Sequence, residues 1–458
     1  MTGIAETVLP GPVPRPGAVD LRIPDSDRYR ARTKRDLPAI GRRFGLASGM
    51  VDDIATVAEV LPFRVNDYVL ERLIDWDAVP DDPMFRLVFP QPEMLDGAAR
   101  DAVRAARAAV AHGAAAEAHL REVVDRIRAD LNPHPDGQLD RNVPVHRGAP
   151  LAGVQHKYSQ TVLTFPSSGQ TCHAYCTYCF RWAQFVGDRS LRFAARTADP
   201  VVEYLVDHPE VTDVLVTGGD PMVMSAARLR THIEPMLAVR SVETIRIGTK
   251  SVGYWPQRFL TDPDAEETLA FLREIVDTGR TLALMLHFTL PREVQTPEAK
   301  QALAALRATG ARLYGQAPIV AEVNDDVATW SELWRAEHGA GVVPYYMFVE
   351  RDTGPREYFQ VPLVRAQRVF AETYRTLPGL ARTVRGPVMS CTPGKLLVDG
   401  VLGLGGRSWM SLRFVQARDA SLVDRPFLAE ARDDAYWADD LVLHPDTPAD
   451  LAAAVREA

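Results

Sequence analysis

The sequence predicts an α/β protein: a central parallel sheet with a helical region before it and a small α+β segment after it. Three observations predict this. Between residues 151 and 380, apolar runs of strand length alternate with amphipathic runs of helical length, as six strand-then-helix units. Residues 26–150 carry helical patterns and then a proline-rich connector. Beyond 380, two strand-like runs flank a glycine-rich turn. Right-handed crossovers let such units curl into a partial (β/α)6 barrel. An open, doubly wound sheet has the same local pattern, and periodicity leaves both standing.

Taken in order, residues 1–25 set prolines at 10, 12, 14 and 16 beside glycines at 11 and 17, which suits an irregular tail. Residues 98–130 place Val103, Val110, Leu120, Val123 and Ile127 on one helical face, with Gly113 as an interruption and Asn132-Pro133 as the stop. The expected strands are Thr161–Phe165, Asp213–Thr217, Thr244–Gly248, Thr281–His287, Arg312–Gln316 and Val342–Val349. Pro263–Thr278 is an expected helix, with Asp262 as N-cap and Gly279 as its end. A further helix is expected over Pro362–Thr376, then strands over Lys395–Val401 and Ser408–Gln416. These readings divide the chain into 1–25, 26–150, 151–380 and 381–458.

Bulk properties narrow the function. A 46% hydrophobic content supports a sizeable core, and a net charge of -8 gives no general surface for nucleic acid or anionic membrane. No apolar run reaches the ~18 residues of a membrane span, and Met1–Asp20 lacks the pattern of a secretory signal. Four cysteines in 458 residues do not make a disulfide framework. A reducing cytoplasm is the expected compartment.

Three of those cysteines, Cys172, Cys176 and Cys179, fall in one loop directly after the first expected strand of the repeat. Thiolates are soft ligands, which suits zinc, copper(I) or an iron–sulfur cluster. A [4Fe–4S] cluster takes four cysteines as a rule, so three leave one iron open. The second strand ends in Thr217-Gly218-Gly219-Asp220-Pro221, at the strand ends where parallel folds collect ligands. The alternative is a zinc site, or a non-enzymatic cluster protein, completed by Cys391 or His173. Zinc sites favour paired cysteine spacing, and Cys391 reads better as a buried small residue.

The Cys-x3-Cys-x2-Cys loop followed by Gly-Gly-Asp resembles the radical S-adenosylmethionine (SAM) superfamily. His156-Lys-Tyr, Val211 to Asp220, Ile245-Arg-Ile-Gly, His287-Phe, Val323-Asn-Asp, Pro344-Tyr-Tyr and Cys391-Thr-Pro-Gly-Lys395 narrow the resemblance to the lysine 2,3-aminomutase family. That family includes glutamate and arginine aminomutases and an enzyme acting on a lysine of elongation factor P. The resemblance covers about residues 156–395 and implies the radical SAM form of the partial barrel. It implies a [4Fe–4S] cluster on the three cysteines, and SAM held near Tyr178, Gly218, Gly219, Asp220 and Gln316. Cleavage of SAM would then supply a 5′-deoxyadenosyl radical. It further implies pyridoxal phosphate (PLP) on Lys395, with Lys157 and Tyr158 at the phosphate.

The same resemblance gives Arg181 the substrate carboxylate. Where the family holds the distal ammonium of lysine with aspartates, this chain has Arg351, and Met389 or Ser390. An arginine repels an ammonium, so the expected substrate is an amino acid other than free lysine, with Arg351 as a partner for its distal group. A second phosphate-binding arginine of the family is Thr161 here, and a basic residue after Arg181 is Trp182. The expected activity is 1,2-amino migration, with PLP-independent radical chemistry such as epimerisation as the alternative. Flavodoxin or ferredoxin is the expected electron donor, and a homo-oligomer the expected assembly.

Overall fold

The computed structural model describes residues 28–188 and 190–458. The tail expected over 1–25 lies outside the described residues.

Eleven strands form one sheet whose spatial order follows the chain order. They are β1 (Val154–Tyr158), β2 (Thr161–Thr164), β3 (Asp213–Val216), β4 (Thr244–Thr249), β5 (Thr281–His287) and β6 (Arg312–Ile319), followed by β7 (Val343–Val349), β8 (Arg385–Ser390), β9 (Gly394–Leu404), β10 (Arg407–Ala417) and β11 (Phe427–Glu430). Neighbours from β2 through β8 pair in parallel. The remaining pairs, β1 with β2 and β8 through β11, are antiparallel.

From β2 through β6 the side chains alternate in what they meet, as the period of two requires, whereas in β7 a register shift lets Tyr345 and Tyr346 both reach the cavity. Val162, Val214, Val216, Ile245, Ile247, Leu284, Leu286, Leu313 and Met347 are buried in one core. That same core contains residues of all the long crossover helices: α5 (Asp199–Asp207), α6 (Ala226–Leu237), α7 (Ala265–Asp277), α8 (Pro297–Arg307), α9 (Val327–Gly339) and α10 (Leu363–Thr376). A doubly wound sheet divides its helices between two faces; here they share one. The intervening residues Leu163, Leu215, Arg246, Met285, Gln316 and Phe348 line a single cavity on the opposite face.

Differences from the expected elements have local causes. Helix α7 starts at Ala265, not Pro263. The Asp262 carboxylate accepts from Trp255 Nε1 at 3.0 Å, and Asp264 accepts from Arg258 Nη1 at 2.9 Å, so neither caps this helix. Gly279, at φ 83°, does end it. Strand β8 is an additional parallel strand that the pattern did not suggest, because Gly386-Pro387 interrupts its apolar run. It carries the sheet across position 380, pairing with β7 on one side and β9 on the other.

The region before the sheet is mostly helical, with Gly113 dividing Gly97–Ala109 from Ala114–Asp130 as expected. It also contains an antiparallel pair, Ala31–Thr33 with Arg64–Asn66, where only helices were expected. These are three-residue strands, too short for a periodic signal. A separate apolar core joins this region to Ala174, Tyr178, Trp182 and Ala183 of the cysteine loop. The helical region therefore packs on the loop that follows β2.

Candidate active site

The cysteine loop is held from outside the sheet. Tyr175 N donates to Arg64 O at 2.9 Å, and Thr177 N donates to Leu87 O at 2.9 Å. Asn66 Nδ2 donates to both His173 O (3.2 Å) and Tyr254 O (2.9 Å), tying the loop to the chain after β4. These bonds satisfy backbone groups that a buried loop would otherwise leave unpaired.

Cys172, Cys176 and Cys179 are unbridged. Burial is the largest cause raising all three thiol pKa values, Cys179 to about 12; neighbouring thiols add to the rise at Cys172 and Cys179, while Lys250 opposes it at Cys176. Tyr254 Oη lies 3.1 Å from Cys176 Sγ. Yet among the described residues no three His, Cys, Asp or Glu side chains converge tightly enough for a single metal ion. His173 is engaged with Ser251 Oγ at 3.0 Å, and Cys391 belongs to a different core, so neither completes a zinc site.

The Gly218-Gly219-Asp220 turn presses against this loop. A Cβ on Gly219 would lie 2.4 Å from Thr171 N, and Gly218 adopts φ 144° with its Cβ position 2.3 Å from Gln170 Nε2. Both positions therefore need glycine. Asp220 N donates to Thr171 O at 2.7 Å. The Asp220 carboxylate is fully used: Oδ1 accepts from Met222 N at 2.9 Å, and Oδ2 from Lys250 N at 2.9 Å and Ser251 Oγ at 3.0 Å. It links β3 to the chain after β4 and does not line the cavity.

The cavity has a volume of about 280 Å3 and brings together Lys157, Tyr158, Tyr178, Arg181, Gln316, Arg351 and Lys395. Seven residues singled out in the sequence, from five places in the chain, thus share one wall. The cysteines, Gly218 and Gly219 lie outside this lining, and Tyr178 and Arg181 connect their loop to it. Tyr178 Oη bonds His287 Nε2 and Thr289 Oγ1, each at 2.8 Å. Burial, and then Lys250, lowers the His287 pKa well below its usual value, so that ring is neutral.

Arg181 is buried, with Phe165 beneath its guanidinium at 4.6 Å. Its Nη2 donates to Gln170 and Gln184, while its Nε has no partner among the described residues. No carboxylate neutralises it, and burial lowers its pKa to about 10. A buried guanidinium facing a cavity in this way is suited to an anion.

Lys395 is also buried. Its Nζ donates to Gln416 Oε1 at 2.8 Å and lies 4.3 Å and 5.0 Å from the ring centroids of Tyr158 and Tyr346. Burial, followed by the charges of Arg246 and Lys157, pushes its pKa well below the usual lysine value. Lys157 Nζ bonds Ser390 Oγ at 3.1 Å, and burial with Arg351 lowers its pKa to about 7. Two amines depressed in this way are good nucleophiles and poor permanent charges.

Arg246, Gln416 and Glu350 are the cavity and near-cavity groups that reading the sequence missed, while Ser390, expected at the distal end of the substrate, bonds Lys157. Arg246 had a usable signal: it is a charge between the apolar Ile245 and Ile247, on the strand face opposite the helices. Its Nε donates to Asp213 Oδ1 at 2.8 Å, and Asp213 Oδ2 accepts from Thr161 Oγ1 at 2.9 Å. Gln416 and Glu350 had no such signal, because their roles depend on strand neighbours far along the chain.

A largely parallel α/β sheet, three clustered thiols and a cavity lined by Arg181, Arg246 and Lys395 have the form of an α/β enzyme. No family model matches the chain. A putative L-lysine 2,3-aminomutase of Aquifex aeolicus is 30% identical over 388 residues, covering 85% of this chain and 90% of that protein. The L-lysine 2,3-aminomutase of Fusobacterium nucleatum is 30% identical over 222 residues, so here the match spans only 49% of the relative. A radical SAM methyltransferase structure from Sphaerobacter thermophilus overlaps 52% of this chain and 68% of its own, at 17% identity and TM-score 0.34. A likeness that low carries no argument. The chain belongs to the lysine 2,3-aminomutase family of radical SAM enzymes, and it is an aminomutase-like isomerase. Membership implies a [4Fe–4S] cluster and SAM.

Proposed function

We propose that this enzyme is a PLP-dependent radical SAM aminomutase, moving an amino group between adjacent carbons of an amino acid other than free lysine. The observation that carries the reading is that Lys395, Arg181 and Tyr178 line one cavity. A neutral-prone amine from β9 meets a guanidinium bonded, among the described residues, only to glutamines and the aromatic of the cysteine loop, and this reading gives each of them work. The lining of one cavity by β2 through β7, with all long crossover helices outside, supports a sheet curled as a partial barrel.

The residues present fit the groups the family implies. Cys172, Cys176 and Cys179 would hold the cluster, and Gly218 and Gly219 let the turn after β3 pack directly against their loop. Lys395 would hold PLP, with Lys157, Ser390, Tyr158 and Arg246 around its phosphate. When bound, these groups supply one-electron cleavage of SAM and delocalisation during migration. The chain's part is binding and placement. Arg181 takes the substrate carboxylate, and Gln416 orients the Lys395 amine. Tyr178, fixed by His287 and Thr289, closes the side nearest the cysteines. Arg351 at the cavity wall disfavours a distal ammonium. Unbridged thiols need a reducing compartment, which supports cytoplasmic placement, with a flavodoxin or ferredoxin as donor.

The test is anaerobic incubation of the reconstituted enzyme with dithionite, SAM, PLP and a panel of side-chain-deuterated amino acids. Deuterium should enter 5′-deoxyadenosine with at least one of them, and a β-amino acid should form. SAM cleavage that never takes deuterium from any amino acid would overturn the reading.

A further inference from the structure

Glu350 immediately follows the last residue of β7 and is only 8% exposed. Both of its carboxyl oxygens are buried and neither has a hydrogen-bond partner among the described residues. Buried polar groups are almost always paired, and a buried carboxyl lacking any donor is the kind of group a ligand satisfies. It lines the same cavity as Arg181 and Lys395.

The cations around it have other engagements. Arg246 is paired with Asp213, Lys395 with Gln416, and Lys157 with Ser390. Arg351, the next residue, places its guanidinium 5.3 Å from the Phe180 ring centroid and 6.0 Å from that of Trp437, and forms no ion pair with Glu350. Glu350 and Arg351 therefore present an acceptor and a donor to the same cavity. Burial, and then the charge of Asp352, raises the Glu350 pKa well above the usual carboxyl range, and a hydrogen-bond donor brought by a ligand opposes that rise and favours the ionised form.

Charge balance selects what this pair takes. With phosphate facing Lys157 and carboxylate facing Arg181, the two remaining groups sum to zero when both are ionised. A distal cation is repelled by Arg351, and a distal anion by an ionised Glu350. A neutral group that both donates and accepts satisfies the two at once, and a carboxamide does so with adjacent atoms. We propose that Glu350 and Arg351 form the subsite for the distal end of the substrate, and that the substrate is an amino acid whose side chain ends in a carboxamide. This rests on the aminomutase reading.

The experiment uses the anaerobically reconstituted holoenzyme with asparagine, glutamine, glutamate, lysine and leucine, and measures both calorimetric Kd and kcat/KM. One of the two carboxamides should exceed glutamate, lysine and leucine by about tenfold or more, because an unmet buried carboxyl penalises analogues lacking the donor. In Glu350→Leu its preference over leucine should fall to within about threefold. The apo Glu350→Leu protein should melt no lower than wild type, since no hydrogen bond is lost; a clear fall would mark Glu350 as structural and overturn the subsite. Preference for glutamate or lysine, or an unchanged preference in Glu350→Leu, would also overturn it. If no amino acid turns over while carboxamide binding still depends on Glu350, the aminomutase reading fails and the subsite stands.

Discussion

Lys395 Nζ donates to Gln416 Oε1 at 2.8 Å, across the antiparallel register that places Lys395 opposite Gln416. A strand pair after the parallel sheet thus aims the amine into the cavity. Borohydride reduction of PLP-loaded enzyme should leave label on Lys395, and Lys395→Ala should carry none. Gln416→Ala should keep the label with PLP affinity reduced about fivefold, the worth of one hydrogen bond of ~1 kcal/mol. Label on Lys157 instead would reverse the assignment of the two amines.

Alanine at Cys172, Cys176 or Cys179 should each remove bound iron and sulfide from anaerobically reconstituted protein. Cys391→Ala should leave both in place, because Cys391 sits in the core under β8 and β9. Iron and sulfide analysis decides between them.

Asp220 makes a different prediction from the one its motif suggests. Its three accepted hydrogen bonds join β3 to the chain after β4, so Asp220→Ala strands buried donors and should destabilise by about 2–4 kcal/mol. Denaturant unfolding measures this. Full stability with lost SAM binding would instead mark direct contact.

Lys157 predicts a pH dependence of stability. Its folded pKa of about 7 lies below the ordinary lysine value of 10.5. Between those values the unfolded chain holds a proton that the folded chain has shed, so stability rises with pH through that window. Below about pH 7 both states are protonated and the full cost of burying the charge remains. Lys157→Met should be more stable than wild type at pH 7 and gain less between pH 7 and 9, in denaturant midpoints taken on apo protein. Lys395 shifts in the same direction, so part of the slope persists.

Asn66 tests the part of the helical region. Asn66→Ala leaves Tyr254 O without its side-chain donor, leaves His173 O with Tyr29 Oη alone, and removes the acceptor of Val69 N. We expect a loss of about 1–3 kcal/mol and poorer cluster loading, with the apo fold retained by circular dichroism. Unchanged iron content would show that the loop is set without this bond.

Much of this molecule was readable along the chain. The strands from Thr161 to Val349 fall within a few residues of their expected places, because each buries one alternating face against an amphipathic helix. The three cysteines and the two glycines were legible because their spacing is itself the signal. Strand β8 was not legible, since Gly386-Pro387 breaks its pattern and only pairing with β7 and β9 makes it a strand. Asp220 was legible as a residue but not in its bonding, which depends on Lys250 and Ser251 one βα unit later.

Sequence by itself determined the α/β class, the thiol cluster and its family, because each rests on short local motifs, those of the family recurring in order from His156 to Lys395. Tertiary structure decided that the long crossover helices share one face, that Asn66 ties the cysteine loop to the chain after β4, and that Glu350 lies unpaired beside Arg351. Those depend on burial and on contacts between residues tens to hundreds of positions apart. A side chain's solvation and its partners are properties of the folded packing, and no spacing rule along the chain encodes them.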